Sequence, residues 1–208
     1  MQNPRVRLAL MAVSTLALLA IAGFVIFADP GSGKSTPAAI TGGFAGATRP
    51  VAPAADFTLA DQDGRSVAVA ALRGRPVVVT FMYTTCRNDC PTMTQQIRGA
   101  LDDIGHDVPV LAVSVDPAND TPGRARAFLA KQQMTGRMRF LLGSDAQLQR
   151  VWRTFGIQPQ GVHGREHSAS VILLDDTGVA RVSFPVDQLT PEGLAHDLRA
   201  LERAGTQS

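Results

Sequence analysis

The sequence predicts an α/β fold with a mixed central sheet, and three observations support that prediction. Two apolar runs rich in β-branched residues, Val77–Met82 and Val108–Val115, have the composition of strands buried on both faces. Segments with apolar residues at helical spacing follow each run. Residues 170–184 then contain two apolar runs around a Gly-containing turn, which predicts a terminal hairpin. Strands joined by helical crossovers and followed by a hairpin give both parallel and antiparallel pairs.

Four helices are expected around this sheet. The first follows the cysteine-containing segment, and Pro91 is expected as its first residue because a helix start leaves that N–H unpaired. The second is expected to open at Thr121–Pro122 and the third after Ser144, where the hydroxyl groups can cap the helix. An amphipathic segment over residues 190–204 predicts a closing helix.

The first 28 residues have the pattern of a membrane anchor. Arg5 and Arg7 precede Leu8–Ala28, a stretch without charge that is long enough for the roughly 20 residues of a membrane span. Positive charge before the span predicts that the following domain lies outside the cytoplasm, on the periplasmic side of the inner membrane. A cleaved signal peptide is the alternative, because Ala20–Ala22 fits a cleavage site, although Phe24–Phe27 continues the apolar run.

Three parts follow from composition along the chain. Residues 1–28 are the anchor or signal peptide, and residues 29–54, rich in Gly, Pro, Ala, Ser and Thr, are expected to form a flexible linker. Residues 55–208 are expected to form one domain. That domain is predicted to begin with a small hairpin, made of Phe57–Leu59 and Val67–Val69.

Composition excludes two classes of protein. The net charge of the 208-residue chain is only +2, and no block of Lys and Arg is interleaved with aromatic residues, so no nucleic-acid partner is expected. Two cysteines are too few for a disulfide-rich scaffold.

The two cysteines, Cys86 and Cys90, carry the strongest chemical signal. A spacing of four residues at a predicted helix start can bring both sulfurs to one centre, and the helix N-terminus favours thiolates. Three interpretations compete: a structural disulfide, a redox-active dithiol and a soft-metal site. The disulfide would close a very short loop, which stabilises a fold least. The dithiol stays open because an extracytoplasmic compartment is oxidising.

A third ligand would better define a metal site, and the chain has four histidines. His106 and His196 are interpreted as exposed helix residues. His163 and His167 lie in a Gly-rich stretch directly before the strand that begins at Ser170, at a junction expected to face the cysteines. Two thiolates and one imidazole form a soft set that suits Cu(I), with Cu(II) possible given a further oxygen ligand. Zinc is the alternative metal, but it usually takes four ligands.

These motifs, in this order, resemble the Sco/SenC family of copper chaperones. Phe81–Pro91 is similar to the family's CxxxCP segment. Ser114–Pro117 together with Asp120–Pro122 is similar to its SVDPxxDTP turn, and His167 precedes Gly178 by the family's usual interval. The resemblance covers roughly residues 55–201. It implies a thioredoxin-like fold, with Cys86, Cys90 and His167 as copper ligands.

The resemblance also implies a role in assembling the dinuclear copper site of cytochrome c oxidase, with the copper-bearing subunit as partner. Other copper carriers or thiol–disulfide proteins are further expected partners. The alternative function is an extracytoplasmic thiol–disulfide oxidoreductase that reduces a partner's cysteines. Thioredoxin-like reductases, however, use CxxC and a cis-proline, whereas this chain has CxxxC and no proline between Pro159 and Pro185.

One turn departs from the family's pattern, and two aspartates are further candidate residues. Asp175–Gly178 replaces the family's more usual Asp-Pro-x-Gly turn, which is expected to alter only the hairpin geometry. Asp116 and Asp120 are candidates for supporting the metal site or contacting a partner. For Asp116, a structural role within a turn is favoured over these two roles. For Asp120, the alternative to them is a structural role as a helix cap.

Overall fold

The computed structural model describes residues 43–50, 52–157 and 170–206. Its strands are β1 (Ala47–Thr48), β2 (Thr58–Ala60), β3 (Ser66–Ala68), β4 (Val77–Met82), β5 (Val110–Ser114), β6 (Arg139–Leu141), β7 (Ser170–Leu174) and β8 (Ala180–Pro185). Its α-helices are α1 (Asp89–Ile104), α2 (Pro122–Lys131), α3 (Asp145–Phe155) and α4 (Pro191–Gly205). Two short 3₁₀ helices, Val69–Leu72 and Val186–Gln188, follow β3 and β8.

Six strands form the mixed central sheet in the order β1-β8-β7-β4-β5-β6. The β4–β5 and β5–β6 pairs are parallel, whereas β7 runs antiparallel to both β4 and β8. Every residue of β4 and β5 is buried, because α1, α2 and α4 cover one face while α3 and the β2–β3 hairpin cover the other. The predicted mixed α/β fold and both hairpins are confirmed.

Both predicted hydroxyl caps are confirmed. Thr121 and Ser144 each accept a hydrogen bond from the backbone N–H three residues on, and Ser144 forms a full capping box with Gln147. The start predicted for α1 is wrong: the helix begins at Asp89, two residues before Pro91. Pro91 is tolerated there because the first turn of a helix leaves its N–H groups unpaired.

Part of the expected linker packs on the domain. Ala47 and Thr48 pair with β8, and the backbone N–H groups of Ala45 and Gly46 donate to the Asp197 carboxylate at 2.7 and 2.9 Å. Residues 45–48, which the sequence assigned to the 29–54 linker, therefore pack on the domain, and the other expected boundaries stay predictions. The sequence did not predict β1, because the residues around it are mostly small and show no hydrophobic periodicity. The strand is held by β8 and by the carboxylate of Asp197, which are both distant in the chain.

The predicted membrane span at Leu8–Ala28 lies outside the described residues. Within residues 43–50, 52–157 and 170–206, no helix is both long and apolar enough to cross a bilayer.

Candidate metal centre

Several segments of the chain meet at the end of the central sheet where β4 finishes, which is called the sheet edge below. Thr80 pairs with Val171, and its hydroxyl donates to the carbonyl of Ser170 at 3.2 Å. Because β7 is antiparallel to β4, the chain enters β7 at the edge where β4 leaves the sheet. Residues 83–88, here called the cysteine loop, connect β4 to α1 at this same edge. Edges at the carboxyl ends of strands are the usual place for ligands in open α/β sheets.

The two cysteines are adjacent at the start of α1. The N–H of Cys86 donates to the carbonyl of Tyr83 at 3.2 Å, which closes a turn in the cysteine loop. The N–H of Cys90, the second residue of α1, donates to Sγ of Cys86, also at 3.2 Å. Both sulfurs are free; Cys90 is fully buried and Cys86 is partly exposed.

This arrangement makes the two sulfurs chemically unequal. The Cys90 thiol hydrogen-bonds Cys86 and is the main reason that the pKa of Cys86 falls to about 6, although burial opposes the shift. Backbone hydrogen bonds from Cys90 and Asn88 lower the pKa of Cys86 further. The same thiol–thiolate hydrogen bond, reinforced by burial, raises the pKa of Cys90. At neutral pH, Cys86 is therefore a thiolate and Cys90 its protonated donor.

Beneath Cys90 the surroundings are apolar. Met82 and Met93 are fully buried in the same cluster as Cys90. The hydroxyl of Thr94 is satisfied by the carbonyl of Cys90 at 2.7 Å. Among the described residues, the inner side of the pair is therefore apolar, and Cys86 is the sulfur that is partly exposed.

A buried carboxylate holds the cysteine loop from the other side. Asp120 follows β5 and is only 8% exposed. Its Oδ1 accepts from both the N–H and the hydroxyl of Thr84 at 2.7 Å, and its Oδ2 accepts from the Ser114 hydroxyl at 2.5 Å. Burial is the main reason that the pKa of Asp120 is raised. The sequence named Asp120 as a candidate for support but gave Thr84 and Ser114 no role, although hydroxyls beside a buried strand need partners.

Asp116 has the turn role that the sequence favoured. Its carbonyl accepts from the N–H groups of Asn119 and Asp120 at 3.0 and 2.9 Å, and its carboxylate accepts from the Asn119 side chain. The helix cap suggested for Asp120 is wrong, since Thr121 caps α2 and the Asp120 side chain turns inward instead.

Two of the four histidines lie in the described part, and both bond to carboxylates away from the cysteines. His106, whose side chain is 53% exposed, contacts Glu202 at 2.7 Å, and this hydrogen bond is the main reason that its pKa is raised. His196 contacts the buried Asp197 at 2.8 Å and is 35% exposed, so it is less exposed than expected. His163 and His167 lie outside the described residues.

The described part of the chain thus supplies two donors for a metal, Cys86 and Cys90. Within it, no three side chains of His, Cys, Asp or Glu are grouped closely enough to hold an ion. One thiolate beside one thiol fits a soft cation such as Cu(I), because thiolate sulfur prefers soft metals. A tetrahedral zinc site would need two more ligands.

The sheet order and the cysteine pair at the start of α1 define a thioredoxin-like domain with a CxxxC site. The family model described as SCO1/SenC matches residues 46–203. The chain therefore belongs to the SCO1/SenC family. The match begins at Gly46, within the N-terminal strap of residues 43–48 that packs on β8 and Asp197.

Three similar proteins illustrate the relationship. The SCO1 protein homolog of Bacillus subtilis is 28% identical over 144 residues, which are 65% of this chain and 75% of that protein. The structure of Bradyrhizobium japonicum ScoI with copper bound is 30% identical, covers 72% of this chain and 99% of that chain, and has a TM-score of 0.61. BsSco, a member of the Sco family of cytochrome c oxidase assembly proteins with a disulfide switch, shares the fold at 23% identity, with coverage of 74% and 98% and a TM-score of 0.60.

Proposed function

We propose that this chain is a copper chaperone that binds copper through Cys86, Cys90 and His167. Its destination is the dinuclear copper site of cytochrome c oxidase, and the copper-bearing subunit of that oxidase is its partner. The observation that carries the proposal is the pair of free sulfurs at the sheet edge, with the backbone N–H of Cys90 donating to Sγ of Cys86 at 3.2 Å. Membership of a family with a copper-bound member supports the same cargo.

The unequal cysteines suit a site that must both accept and release copper. The Cys86 thiolate, exposed on one side, is available to an incoming Cu(I), whereas Cys90 must lose its proton to become a ligand. Loading is therefore coupled to release of a proton, and protonation of Cys90 favours unloading. A site of two sulfurs and one imidazole also leaves room for a ligand from the receiving protein.

The register of the sheet supports His167 as the third ligand. Ser170 is the first described residue of β7, and its carbonyl accepts from the hydroxyl of Thr80 in β4. His167 precedes it by three residues, a length of chain that spans at most about 10 Å. This short stretch of chain, which starts at the edge to which the cysteine loop belongs, supports the choice of His167. His163 is four residues farther from this fixed point.

We also propose that the domain works on the periplasmic side of the inner membrane, tethered by residues 1–28. Charge asymmetry around Leu8–Ala28 supports this placement. A periplasmically active reporter fused after Ser208 should be active, whereas activity only of a cytoplasmic reporter would contradict it. Recovery of a mature chain that lacks the first 22 residues would show a signal peptide instead of an anchor.

The test of the copper proposal is an anaerobic titration of the reduced protein with Cu(I) in competition with a chromogenic chelator. The proposal predicts one tightly held Cu(I) per chain. Failure of the protein to compete with the chelator would contradict it. Addition of zinc in excess should not displace the copper, because thiolate sulfur binds Cu(I) in preference.

A thiol–disulfide reductase is the second candidate, and the low pKa of Cys86 favours it. In that reaction the Cys86 thiolate attacks a partner's disulfide and releases one partner thiolate. Cys90 then loses its proton and displaces the second, which leaves a Cys86–Cys90 disulfide and a reduced partner. An external thiol must reduce the pair again. Rapid turnover of a protein disulfide together with weak Cu(I) binding would favour this function.

A further inference from the structure

We infer that Asp120 is a positioning residue for the copper site, which it organises by holding Thr84 in the cysteine loop. The inference rests on the proposed function only where Cu(I) affinity is the readout. The glutathione readout below does not depend on copper binding. Asp120 touches neither cysteine in any described contact; it acts through the backbone and side chain of Thr84. Its role is to keep the cysteine loop in the shape that presents Cys86 to the N–H and thiol of Cys90.

The contacts make Asp120 a link between two loops of the same sheet edge. Through Oδ1 it holds the β4–α1 loop by two hydrogen bonds from Thr84, and through Oδ2 it holds the end of β5 by the Ser114 hydroxyl. Ser114 is fixed in turn, since its carbonyl accepts from Trp152 Nε1 at 2.9 Å. The cysteine loop is thereby anchored to a strand that is buried on both faces.

This anchoring reaches Cys86 through a short stretch of backbone. Thr84 lies two residues before Cys86, and the adjoining Tyr83 carbonyl accepts the N–H of Cys86. Without an acceptor at Asp120, Thr84 would leave a partly buried N–H unpaired or would move to find water. Either change shifts the turn that sets the position of Sγ of Cys86 relative to the start of α1.

Two neighbouring residues already perform the ordinary tasks of such a loop. Thr121 caps α2, and Asp116 closes the preceding turn. The inward orientation of the Asp120 carboxylate is therefore required neither for the helix start nor for the turn. Burying a carboxylate is costly, and here its hydrogen bonds are directed to the cysteine loop and β5.

The experiment compares Asp120→Ala with Asp120→Asn in the full chain. The alanine removes every acceptor for Thr84, whereas the asparagine amide can keep its oxygen toward Thr84 and turn its NH₂ toward Ser114. Asp197→Ala is the matched control, because Asp197 is also a buried carboxylate that accepts two backbone N–H groups, but at residues 45 and 46. Thr84→Val, which removes only the hydroxyl, is a milder second probe.

The first readout is the equilibrium of the Cys86–Cys90 pair with reduced and oxidised glutathione, which involves no copper. Asp120→Ala should shift this equilibrium toward the disulfide by about tenfold, because the reduced arrangement loses its support. Thr84→Val should shift it in the same direction by less. Asp120→Asn and Asp197→Ala should remain within about twofold of the unmodified chain.

The second readout is Cu(I) affinity, which Asp120→Ala should lower by about tenfold while Asp197→Ala leaves it unchanged. Equal effects of Asp120→Ala and Asp197→Ala on the glutathione equilibrium would overturn the inference, as would an unshifted Thr84→Val. If Asp120→Asn shifts the glutathione equilibrium as much as Asp120→Ala does, the inference is also overturned. The charge of Asp120, and not its hydrogen bonds to Thr84, would then be responsible. If the unmodified chain binds no Cu(I), the copper proposal fails, but the glutathione comparison still decides the role of Asp120.

Discussion

The backbone nitrogen of Cys90 lies 3.2 Å from Sγ of Cys86, so the first turn of α1 donates a hydrogen bond to the sulfur of a residue three positions before the helix begins. Together with the Cys90 thiol, this contact lets one cysteine ionise near neutral pH while its neighbour stays protonated. The site thus has one exposed donor in its reactive form and one buried donor that must release a proton.

Alkylation of Cys86 should follow this asymmetry. The rate of reaction with iodoacetamide should rise with pH around a midpoint near 6, the pKa of Cys86. Cys90→Ala removes the main cause of the lowered pKa, so the midpoint should move upward toward the ordinary thiol value of about 8.5. Cys90→Ser keeps a hydroxyl donor and should move it less. A midpoint that is the same in all three proteins would contradict the hydrogen-bonded pair.

Loss of either sulfur should abolish tight copper binding. Cys86→Ser and Cys90→Ser each replace a soft donor with a hard hydroxyl, which binds Cu(I) poorly. Cys86→Ser should leave the unfolding midpoint in urea nearly unchanged because Cys86 is partly exposed. Cys90→Ser should cost about 1–3 kcal/mol, because it buries a hydroxyl in an apolar cluster. Tight Cu(I) binding that survives in either variant would place the site elsewhere.

The two histidines before β7 form a matched pair for the third ligand. His167→Ala should weaken Cu(I) binding and remove the combined thiolate–imidazole bands of the Cu(II) form. His163→Ala should leave both nearly unchanged, because His163 is farther from the strand that would hold a ligand in place. The assignment is wrong if the Cu(II) spectrum is lost in His163→Ala and kept in His167→Ala.

Asp175 should stabilise the β7–β8 hairpin in a pH-dependent way. It accepts from the N–H groups of Thr177 and Val179 at 3.0 and 2.9 Å and from Arg181 at 2.6 Å. Burial opposes ionisation, but the hydrogen bonds from Thr177 and Arg181 outweigh it and lower the pKa of Asp175. Because the folded pKa lies below the unfolded one, this stabilisation is present above the unfolded value of about 3.9 and is lost as pH falls through the folded value.

Asp175→Asn should therefore lower the free energy of unfolding by about 2 kcal/mol at pH 7, and its difference from the unmodified chain should shrink below about pH 4. Urea unfolding followed by the fluorescence of Trp152, the single tryptophan, measures this directly. Asp176→Asn, at the next position of the same turn, is the control and should stay within about 0.5 kcal/mol. Equal losses in the two variants would contradict the role of Asp175.

Local patterns in the sequence were sufficient to predict the elements whose partners are near in the chain or whose composition is distinctive. The buried runs of β4 and β5 and the hydroxyl caps of α2 and α3 are examples. The three residues of β6 could not be predicted, since a strand of that length has no period and depends on pairing with β5. Likewise, β1 depends on β8 and on the carboxylate of Asp197.

The same distinction applies to the candidate site. The spacing of Cys86 and Cys90 indicated their proximity, because four residues at a helix start bring two side chains together. The role of Thr84 could not be predicted, because its acceptor Asp120 is 36 residues away and meets it only through the parallel pairing of β4 with β5. His167 remains a prediction from the sequence.

X-ray absorption at the copper edge of the Cu(I)-loaded protein tests the central claim most directly, since it counts the atoms bound to the metal. The account predicts two sulfur neighbours and one nitrogen neighbour, with one sulfur lost in Cys86→Ser or Cys90→Ser and the nitrogen lost in His167→Ala. A copper environment of nitrogen and oxygen alone, or one that is unchanged in the cysteine variants, would contradict it.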